Sequence, residues 1–455
     1  MSPEADVGRP AIGLGRGDVA DQPLLRLEEA RARMLTGVRP LPAEWVSLAQ
    51  ALGRVLAEPV DTQVSLPPWD NSAMDGFAVQ AADVSGASLT EPIVLEVIGE
   101  VAAGHAPDTS LRVGTAMRVL TGALVPPGAD AVVPVEDTDA PRGVAARPEH
   151  VAIHRGAATG AHIRLAGEDV RAGERVLGAG HSINAARLAL AAATGHARLL
   201  VHRRPRVAVL ATGDELVPAG RPLGVAGIYD SNSVSLAAQV QAAGSEPVVL
   251  GIVRDRFDEV VARLREGIGC ADMVIASGGV SVGAHDVVKD AFEAVGTLDL
   301  WRVAVQPGKP VAFGHAERGH RGQRGEGIEG GDRQAVLLFG LPGNPVSTFV
   351  TFELFVRPVL RRLAGYADAT GRMLVRAELV GPITKSPGRR AFLRVRLEPD
   401  PDRSIGWRAV LAGSQGSHVI SALAEANGLA IVPEEVDSLP AGALVDVMVL
   451  DEGVS

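Results

Sequence analysis

The 455-residue chain has little cysteine, few aromatic residues and no long apolar run. Its single cysteine, Cys270, has no partner for an internal disulfide. This fits a reducing cytoplasm, and we expect a small buried thiol at that position. No run reaches the ~18 apolar residues of a membrane span, and the N-terminus lacks a signal-peptide apolar run. We therefore expect a cytoplasmic protein without a membrane segment.

An excess of basic residues is also missing. The formal net charge is −10 and the isoelectric point is about 5.6. No basic stripe is interleaved with aromatic residues, so we expect no nucleic-acid partner. Overall acidity leaves a small anionic ligand open, because local fields decide its binding.

The length favours about three domains, with two to four allowed. Residues 1–22 are rich in Gly, Pro and Asp, and we expect a disordered tail. Helical periodicity marks 23–60, in "LLRLEEARARML" and "PAEWVSLAQALGRVLA", and again 167–200, where Gly195 follows the predicted helix. Residues 61–166 have short apolar runs with many Gly and Pro, which predicts an all-β module.

Residues 201–365 alternate uninterrupted apolar strands with helices, which predicts a parallel sheet buried on both faces. Residues 366–455 predict a small β-barrel or sandwich. Between two predicted strands, 316–334 are rich in Gly and Arg without an apolar pattern. We expect a disordered loop there, and the alternative is a ligand-binding arm.

Polar loops recur at the predicted strand ends of 201–365. They are "TGDEL" (212–216), "YDSNS" (229–233), "SGGVSVGAHD" (277–286), "QPGKP" (306–310) and "GLPGNP" (340–345). Any one of them is explained by a tight turn and a helix N-cap. Because ligands of open α/β sheets bind beyond the carboxyl ends of the strands, five such loops together indicate a binding site. A phosphate-bearing heterocycle fits these donors best.

The loop 277–286 supports a phosphate site, because Gly278 and Gly279 let backbone N–H groups approach an anion. This loop matches neither a Walker motif nor GxGxxG. The carboxylates near these loops, Glu215, Asp230, Asp255 and Asp286, suggest Mg²⁺. Helix capping or surface solvation explains each of them equally well, and Asp255 is the clearest capping candidate.

These loops, in this order, resemble the MoeA/gephyrin E-domain family of molybdopterin molybdenumtransferases over roughly residues 24–450. The matching stretches are "LPPWDNSAMDGFAV" (66–79), "TGALVPPGADAVV" (121–133), "RLAGEDV" (164–170), "ATGDEL" (211–216), "IYDSNS" (228–233), "SGGVSVGAHD" (277–286), "QPGKPVAFG" (306–314), "GLPGNPVS" (340–347) and "GSQGSH" (413–418).

The resemblance implies four domains per subunit and a homodimer with its active site between subunits. The domains are a linker and dimerisation domain (23–60 with 167–200), a β-rich domain (61–166), a MogA/MoaB-like α/β domain that binds molybdopterin (201–365) and a C-terminal β-barrel (366–455). The implied reaction converts adenylylated molybdopterin and molybdate to molybdenum cofactor and AMP, with Mg²⁺. A MogA-type adenylyltransferase and molybdoenzymes are the implied partners.

Site residues follow from the same resemblance. The implied catalytic residues are Asp75, Thr121, Asp169, Glu215, Asp255 and Asp286, with Asp286 and Glu215 as the Mg²⁺ ligands. The implied pterin and oxyanion contacts are Ser277, Gly278, Gly279, Ser281, Lys309, Pro342, Asn344, Pro345, Ser347, Arg394 and Ser417. Asp70, Asn71 and Ser72, which precede Asp75, are expected to be turn residues.

The chain departs from the family pattern at Gln306 and Arg302, where many relatives have lysine, and Gln306 removes a cation near the anion site. We expect Arg302 or the Arg-rich loop to compensate, or anion affinity to fall. Two other functions fit parts of the sequence. A gephyrin-like scaffold would not need the acids and Lys309, and a MogA/MoaB-type adenylyltransferase would need only the central module.

Overall fold

The computed structural model describes residues 24–140, 147–279, 287–318, 335–369, 372–400 and 406–450. The chain divides into two compact units, residues 45–201 and residues 1–44 together with 202–455. The predicted tail 1–22 lies outside the described residues, and the four predicted domain boundaries stay a prediction. None of the helices in the described ranges is long and apolar enough to cross a membrane.

The unit of residues 45–201 is built around a five-stranded sheet. In spatial order its strands are Ala131–Pro134, Gly76–Val79, Thr115–Val119, Ile93–Val101 and His150–Ile153. Short strands also form at Val60–Asp61, Asn71–Ser72, Ile163–Arg164 and Arg175–Leu177, with 3-10 turns at Ala81–Val84 and Val135–Asp137. Apolar residues that include Phe77, Val97 and Val133 fill the core. This arrangement fits the predicted all-β module.

Helical structure in this unit is shorter than predicted. The helix Ala185–Ala193 forms as expected, and Gly195 follows it with a left-handed φ of 92°. The helix predicted over 42–57 is wrong, because Ala43–Ser47 is a strand and only Leu48–Ala51 is helical. Gly53, at φ 72°, turns the chain away two residues later.

The unit of residues 1–44 and 202–455 contains a six-stranded sheet. Its strands, in spatial order, are Glu246–Val253, Arg206–Thr212, Met273–Ser277, Val336–Leu341, Pro310–Ala316 and Thr297–Arg302. The first four run parallel, and the last two form an antiparallel pair at one edge. The sheet is therefore parallel-rich, and the antiparallel pair was not predicted.

Helices cover both faces of this sheet. They are Leu27–Leu35, Asn232–Ala242, Phe257–Cys270, Val287–Val295, Pro345–Thr351, the π-helical Phe352–Val356 and Arg357–Leu363. Residues alternate along each strand, so that Val207 and Val209 enter one core cluster while Ala208 and Leu210 enter the other. The edge strand Glu246–Val253 differs from its prediction, because it is mostly half-buried.

The C-terminal segment is a closed five-stranded barrel, which confirms one of the two predicted forms. Its strands in order are Arg390–Pro399, Trp407–Leu411, Leu374–Leu379, Leu444–Val449 and Gly428–Val432, and the last pairs with the first. Short elements of this unit are Leu216–Val217, Ile228–Tyr229, Val305–Gln306, Ile383–Thr384, Ile420–Ala424 and Ser438–Leu439. Val305–Gln306 pairs with barrel strand Arg390–Pro399, which brings the barrel to the α/β sheet.

The predicted disordered loop 316–334 is described only at its start, since 319–334 lie outside the described residues. Ala316 still belongs to strand Pro310–Ala316, where it pairs with Val336. The Arg318 guanidinium donates to the backbone oxygens of Ile268 (3.3 Å) and Ala271 (2.6 Å) at the end of helix Phe257–Cys270. The loop therefore begins at the edge of the sheet where the parallel strands start.

Candidate functional site

A cavity of about 490 Å³ lies in the unit that contains the α/β sheet and the barrel. Its lining residues are Gly279, Gln306, Pro307, Gly308, Lys309, Pro310, Pro342, Gly343, Asn344, Ser347, Arg389, Gln415, Gly416 and Ser417. Six of these were predicted as binding residues: Gly279, Lys309, Pro342, Asn344, Ser347 and Ser417. Three of the predicted loops, 277–286, 306–310 and 340–345, thus contribute to one cavity.

The sheet topology explains why these loops meet. Strands Met273–Ser277 and Val336–Leu341 both end at the carboxyl edge, where Ser277 pairs with Leu341. The loop 306–310 follows strand Thr297–Arg302 of this sheet, as predicted, and leads into strand Pro310–Ala316. Because that strand runs antiparallel to Val336–Leu341, its beginning lies at the same edge. The loop therefore lies at the predicted edge, and only the antiparallel direction of Pro310–Ala316 was not predicted.

Two glycines let the chain turn sharply at the end of strand Met273–Ser277. Gly278 has a φ of 104°, and a Cβ there would lie 2.5 Å from the Thr212 backbone oxygen. Gly279 has a φ of 61°. Side chains could not be accommodated at Gly278, so the backbone itself lies close to the neighbouring strand end.

An amide side chain ties the two central loops together. The Asn232 Nδ2 group donates to Ser277 Oγ and to the Gly343 backbone oxygen, each at 2.7 Å. Ser277 is buried and does not line the cavity. Its hydroxyl therefore serves the loop contact in this structure, and direct binding by Ser277 stays a prediction.

The helix Pro345–Thr351 begins at the cavity. Asn344 is its N-cap residue and makes no side-chain cap hydrogen bond, while Pro345 occupies the first turn, where its missing N–H costs nothing. Ser347 lines the cavity from this first turn. The Val346 N–H donates to the Ser417 backbone oxygen at 3.2 Å, which connects this helix to the barrel loop 413–418.

The cavity is cationic. Lys309 and Arg389 line it, and no Asp or Glu occurs among its described lining residues. Burial lowers the pKa of Lys309, and the nearby Arg302 and Arg389 lower it further. A buried acceptor, Gln306 Oε1, also lacks a hydrogen-bond partner within the described residues. Such a cavity favours an anionic ligand that brings hydrogen-bonding groups.

Arg394 lies behind this cavity rather than on its surface. It is fully buried, and its Nη2 donates to the backbone oxygens of Ser414 (2.8 Å) and Gly416 (3.1 Å). Its Nε and Nη1 have no partner in the described residues, and burial lowers its pKa. The structure thus gives Arg394 a role in holding the loop 413–418, and its predicted oxyanion contact stays a prediction.

Two of the predicted acids, Asp230 and Asp255, precede helices but have different hydrogen bonds. Asp230 Oδ1 accepts the Ser233 N–H at 3.0 Å, so it caps helix Asn232–Ala242. The capping role expected for Asp255 is wrong, because the N-cap is Arg256 and no side chain caps that helix. Burial and the negative charges of Asp214 and Glu215 raise the pKa of Asp255.

No group of three metal-binding side chains forms within the part of the chain that the structure describes. Asp286 and Ser281 lie outside that part. The predicted Mg²⁺ ligands are therefore untested, although Glu215 and Asp255 are close enough for their charges to interact.

The remaining predicted residues are in the unit of residues 45–201. Asp75 Oδ1 accepts the Thr121 N–H (2.7 Å) and the Thr121 hydroxyl (2.8 Å). These two bonds lower the pKa of Asp75, so its exposed carboxylate is ionised at neutral pH. Asp169 is exposed, and its own backbone N–H donates to the Leu66 backbone oxygen at 3.0 Å.

The residues before Asp75 serve the backbone, as predicted. Asp70 Oδ1 accepts the Ala166 N–H at 2.7 Å, Asn71 Nδ2 donates to Trp69 O at 3.3 Å, and Ser72 Oγ donates to Met74 O at 2.6 Å.

Sequence reasoning missed Arg389 and Gln415 as cavity residues. Gln415 stands inside the quoted "GSQGSH" stretch, whereas Arg389 follows an unremarkable turn and no pattern marked it.

The fold and the cavity define a small-molecule enzyme class that holds anionic groups at the carboxyl edge of an α/β sheet. Three family models match the chain: the MoeA N-terminal region (domain I and II) at residues 25–195, a probable molybdopterin binding domain at 208–362 and the MoeA C-terminal region (domain IV) at 376–450.

Named relatives agree with these models. Molybdopterin molybdenumtransferase 2 of Mycobacterium tuberculosis is 41% identical over 91% of this chain and 96% of its own length. Molybdopterin molybdenumtransferase 1 of the same organism is 37% identical over 93% and 98%. The crystal structure of a molybdopterin biosynthesis MoeA protein from Pyrococcus horikosii superposes with a TM-score of 0.76, at 31% identity, over 94% of this chain and all of its own.

The chain belongs to the MoeA family of molybdopterin molybdenumtransferases, which are transferases of molybdenum cofactor biosynthesis. The expected family and the expected combination of a MogA/MoaB-like α/β domain with a C-terminal barrel are confirmed.

Proposed function

We propose that this chain inserts molybdate into adenylylated molybdopterin, with cleavage of the phosphoanhydride and release of AMP and molybdenum cofactor. The observation that carries the proposal is the cavity itself. It combines Lys309 and Arg389 with the hydroxyl-bearing Ser347 and Ser417, and no carboxylate lines its described surface. Molybdate and the substrate phosphates are anions that such a cavity attracts.

The protein's task in this reaction is to hold and neutralise anions. A water oxygen attacks phosphorus, the P–O bond of the phosphoanhydride breaks, and AMP leaves. Molybdate binds the two dithiolene sulfurs of the pterin, and one of its oxygens leaves as water with the two thiol protons. Fixed cations and backbone N–H groups favour such a step, because they need no reorganisation when charge develops. Lys309 and Arg389 supply the fixed cations, and no covalent nucleophile is required.

Mg²⁺ fits the donors near strand end 206–212. Asp214, Glu215 and Asp255 offer only oxygen atoms, and burial together with the nearby charges of Asp214 and Glu215 raises the pKa of Asp255. Mg²⁺ takes one or two protein carboxylates and keeps several waters. Glu215 and Asp286 would hold the ion, which when bound would neutralise charge on the phosphates.

We further propose a cytoplasmic homodimer in which Asp75, Thr121 and Asp169 act at the partner's cavity. The ionised Asp75 carboxylate is exposed and keeps one oxygen, Oδ2, outside its bonds to Thr121. An upstream MogA-type adenylyltransferase and downstream molybdoenzymes are the expected partners.

The two alternative functions are less well supported. An adenylyltransferase would need only the central module, yet the relatives match over more than nine-tenths of the chain. A scaffold would have no need for a cationic cavity. Peptide capture without AMP release would favour the scaffold, and ATP consumption on molybdopterin would favour the adenylyltransferase.

A coupled assay tests the proposed reaction. Purified protein is given adenylylated molybdopterin with molybdate or tungstate, with and without Mg²⁺, and AMP and cofactor are measured. We expect AMP release only with Mg²⁺ and cofactor formation only with an added oxyanion. The comparison with tungstate also determines which oxyanion the protein prefers. The sequence does not predict this preference, because molybdate and tungstate have the same charge and nearly the same size.

The Asp286→Asn variant tests the metal ligand. We expect AMP release to fall by about a hundredfold or more, since one charged Mg²⁺ ligand is lost. Asp290→Asn, a substitution in the following helix Val287–Val295, is the matched control. Full activity of a folded Asp286→Asn protein would contradict the Mg²⁺ assignment.

A further inference from the structure

The loop 341–345 contributes backbone as well as side chains to the cavity, because Pro342, Gly343 and Asn344 all line it. A peptide group has a negative carbonyl oxygen at one end and a positive N–H at the other. In a trans peptide these two ends point in opposite directions. The orientation of each peptide group therefore decides whether this loop attracts or repels an anion.

Asn232 binds one of these carbonyl oxygens from outside the cavity lining. Its Nδ2 donates to Gly343 O at 2.7 Å, and Asn232 itself does not line the cavity. A backbone oxygen only accepts hydrogen bonds, so the nitrogen of the Asn232 amide has to lie on this side. The N–H of Asn344 belongs to the same peptide group as Gly343 O, and it therefore points away from Asn232.

Two hydroxyl groups bind the preceding carbonyl oxygen. Pro342 O accepts from Ser277 Oγ at 3.4 Å and is also contacted by Thr348 Oγ1, and both of these residues are buried. Ser277 Oγ accepts the second N–H of the Asn232 amide at 2.7 Å, so its own proton is left for Pro342 O. Asn232 therefore acts on both peptide groups, directly on one and through Ser277 on the other.

The N–H ends of these two peptide groups have no protein acceptor. Neither the Gly343 N–H nor the Asn344 N–H donates a hydrogen bond to any residue that the structure describes. Both residues line the same cavity as the cations Lys309 and Arg389. An anionic ligand can accept from these N–H groups, whereas a loop turned over would present two carbonyl oxygens to it.

We propose that Asn232, together with Ser277 and Thr348, is a positioning residue for the anionic groups of the substrates. These side chains hold two carbonyl oxygens of the loop outside the cavity, so that the N–H groups of Gly343 and Asn344 face the ligand. The ligand group is a tetrahedral oxyanion, either molybdate or a phosphate of the nucleotide. The identity of the substrates rests on the proposed function, whereas the orientation of the N–H groups is testable with the anions alone.

Nuclear magnetic resonance can observe one of these N–H groups by itself. The chain has five asparagines, and only Asn344 follows a glycine. Deuterated protein labelled with ¹⁵N-asparagine and ¹³C-carbonyl glycine therefore gives one backbone amide signal in a carbonyl-filtered spectrum. Sodium molybdate alone and AMP alone are titrated into wild type. We expect one of them to move the Asn344 amide proton downfield, and that anion identifies the group that the loop binds.

Asn232→Leu tests the positioning role, because it nearly keeps the size of the side chain and removes both donors. We expect most of the Asn344 shift to be lost and the calorimetric affinity for the same anion to fall about tenfold. The KM for the substrate that carries this group should rise by a similar factor, while kcat falls less. Thr348→Val should act in the same direction, and it replaces Asn232→Leu if that variant does not fold.

Asn184→Leu is the matched control for Asn232→Leu. Asn184 also stands at the start of a helix, where its Oδ1 accepts the Arg187 N–H at 2.9 Å, and it does not line the cavity. Loss of this N-cap should lower the stability of the protein. The Asn344 signal and both anion affinities should stay at their wild-type values.

Thr351→Val is the matched control for Thr348→Val. Thr351 is equally buried and lies one turn later on the same helix, but its hydroxyl donates to Ser347 O (2.7 Å) and to Thr348 O (3.1 Å). It makes no bond to the loop 341–345 within the described residues. Its anion affinities should equal those of wild type.

A double-mutant cycle tests the action of Asn232 through Ser277. We expect Ser277→Ala to weaken the same anion as Asn232→Leu, and to add little to the loss in the Asn232→Leu background. Additive losses would overturn the part of the proposal that assigns Ser277 to the positioning of Pro342.

Three results would overturn the proposal as a whole. The first is an Asn344 signal that does not move when an anion binds to wild type, and the second is a wild type that binds neither anion. The third is an affinity within about twofold of wild type in both Asn232→Leu and Thr348→Val. A loss in Asn232→Leu no larger than in Asn184→Leu would likewise mean that Asn232 serves stability alone.

This inference and the proposed function fail in different ways. A wild type whose Asn344 signal moves with molybdate or AMP, but which releases no AMP from its substrate, contradicts the proposed function and leaves the inference standing. An active wild type whose Asn344 signal stays in place when an anion binds contradicts only the inference.

Discussion

At the scale of single residues, the geometry distinguishes acids that accept only a backbone N–H from an acid that also accepts a side-chain hydroxyl within the described residues. Asp75 and Thr121 show the distinction, because they are 46 residues apart and still bond through two hydrogen bonds to one carboxylate oxygen. Asp70 and Asp230 have a similar chemistry in the sequence, yet each accepts a backbone N–H at a turn or a helix start.

The Thr121 hydroxyl gives a prediction about pH. Both Thr121 donors lower the pKa of Asp75, so removing the hydroxyl in Thr121→Val should raise that pKa towards its ordinary value. When the pH is lowered, the Asp75 carboxylate of the variant is then protonated at a higher pH than that of the wild type. We expect the acid limb of the AMP-release profile to shift upward by up to about one pH unit.

Thr159→Val is the matched control for this change, since Thr159 also donates to an aspartate of the same unit, Asp130, at 3.4 Å. Its profile should equal the wild-type profile. An unshifted acid limb in a folded Thr121→Val protein would mean that the charge of Asp75 does not limit the rate.

Sequence reasoning located much of the cavity but could not assign every role. Short local motifs contain the glycines, Lys309 and Ser347, and their residue types are suited to binding an anion. Such motifs can be recognised from the sequence without knowing how the strands pair. Arg389 has no such signal, because its place depends on pairing between residues 305 and 390, far apart in sequence. Asp255 precedes a helix as Asp230 does, but only Asp230 accepts a backbone N–H of its helix within the described residues.

At the scale of secondary-structure elements, the site depends on how strands end. The turn at Gly278 is the most constrained of these ends, because a Cβ would meet Thr212 O at 2.5 Å and Thr212 Oγ1 at 2.9 Å, with φ at 104°. The strand ends of Arg206–Thr212 and Met273–Ser277 can therefore approach only with glycine at this position.

Gly278→Ala should damage both the fold and the cavity. We expect a loss of at least about 2 kcal/mol in the free energy of unfolding, from the left-handed backbone and the steric overlap, together with weaker anion binding. Denaturant titration and calorimetry measure the two effects.

Gly343→Ala is the control for a cavity glycine with room to spare, since its Cβ would meet nothing closer than Gly278 Cα at 3.7 Å. It should keep nearly full stability. Equal stability of both variants would show that the turn at Gly278 can relax.

Element types were predictable where one periodicity dominated. The strands and helices of residues 203–295 follow their apolar patterns, because each strand is buried on two faces or packs beside one that is. The helix predicted over 42–57 did not form for a tertiary reason, since strand pairing at Ala43–Ser47 outweighed local helical preference. The antiparallel pair 297–302 and 310–316 was missed because its direction is set by the neighbouring strand.

At the scale of the whole molecule, the predicted site residues are divided between the two units. Asp75, Thr121 and Asp169 belong to residues 45–201, and the cavity belongs to the other unit. A single sequence carries no signal for which copy of a subunit supplies each group, and this limits what could be predicted about assembly.

Mixed dimers test the proposed arrangement between subunits. Asp75→Asn and Lys309→Met are each expected to be inactive alone. Co-expressed in equal amounts, they should regain about a quarter of wild-type activity, since about half of the dimers are mixed and each mixed dimer has one intact site.

Recovery of activity is measured as AMP release from the whole purified mixture, and mixed dimers isolated through two different tags should reach about half of wild-type activity. The control mixture pairs Lys309→Met with Ser347→Ala, two changes within one cavity. In a mixed dimer of that pair neither cavity is intact, so it should recover nothing. No recovery in either mixture would place Asp75 at the cavity of its own chain.

The two ends of strand Pro310–Ala316 lie at different distances from the cavity. Its first residue borders the cavity, while its last pairs with Val336 about 20 Å further along, where the connection to the next strand leaves the sheet. An affinity tag or a fused peptide inserted between Ala316 and Val336 would therefore join the sheet at the end of this strand that is farther from the cavity.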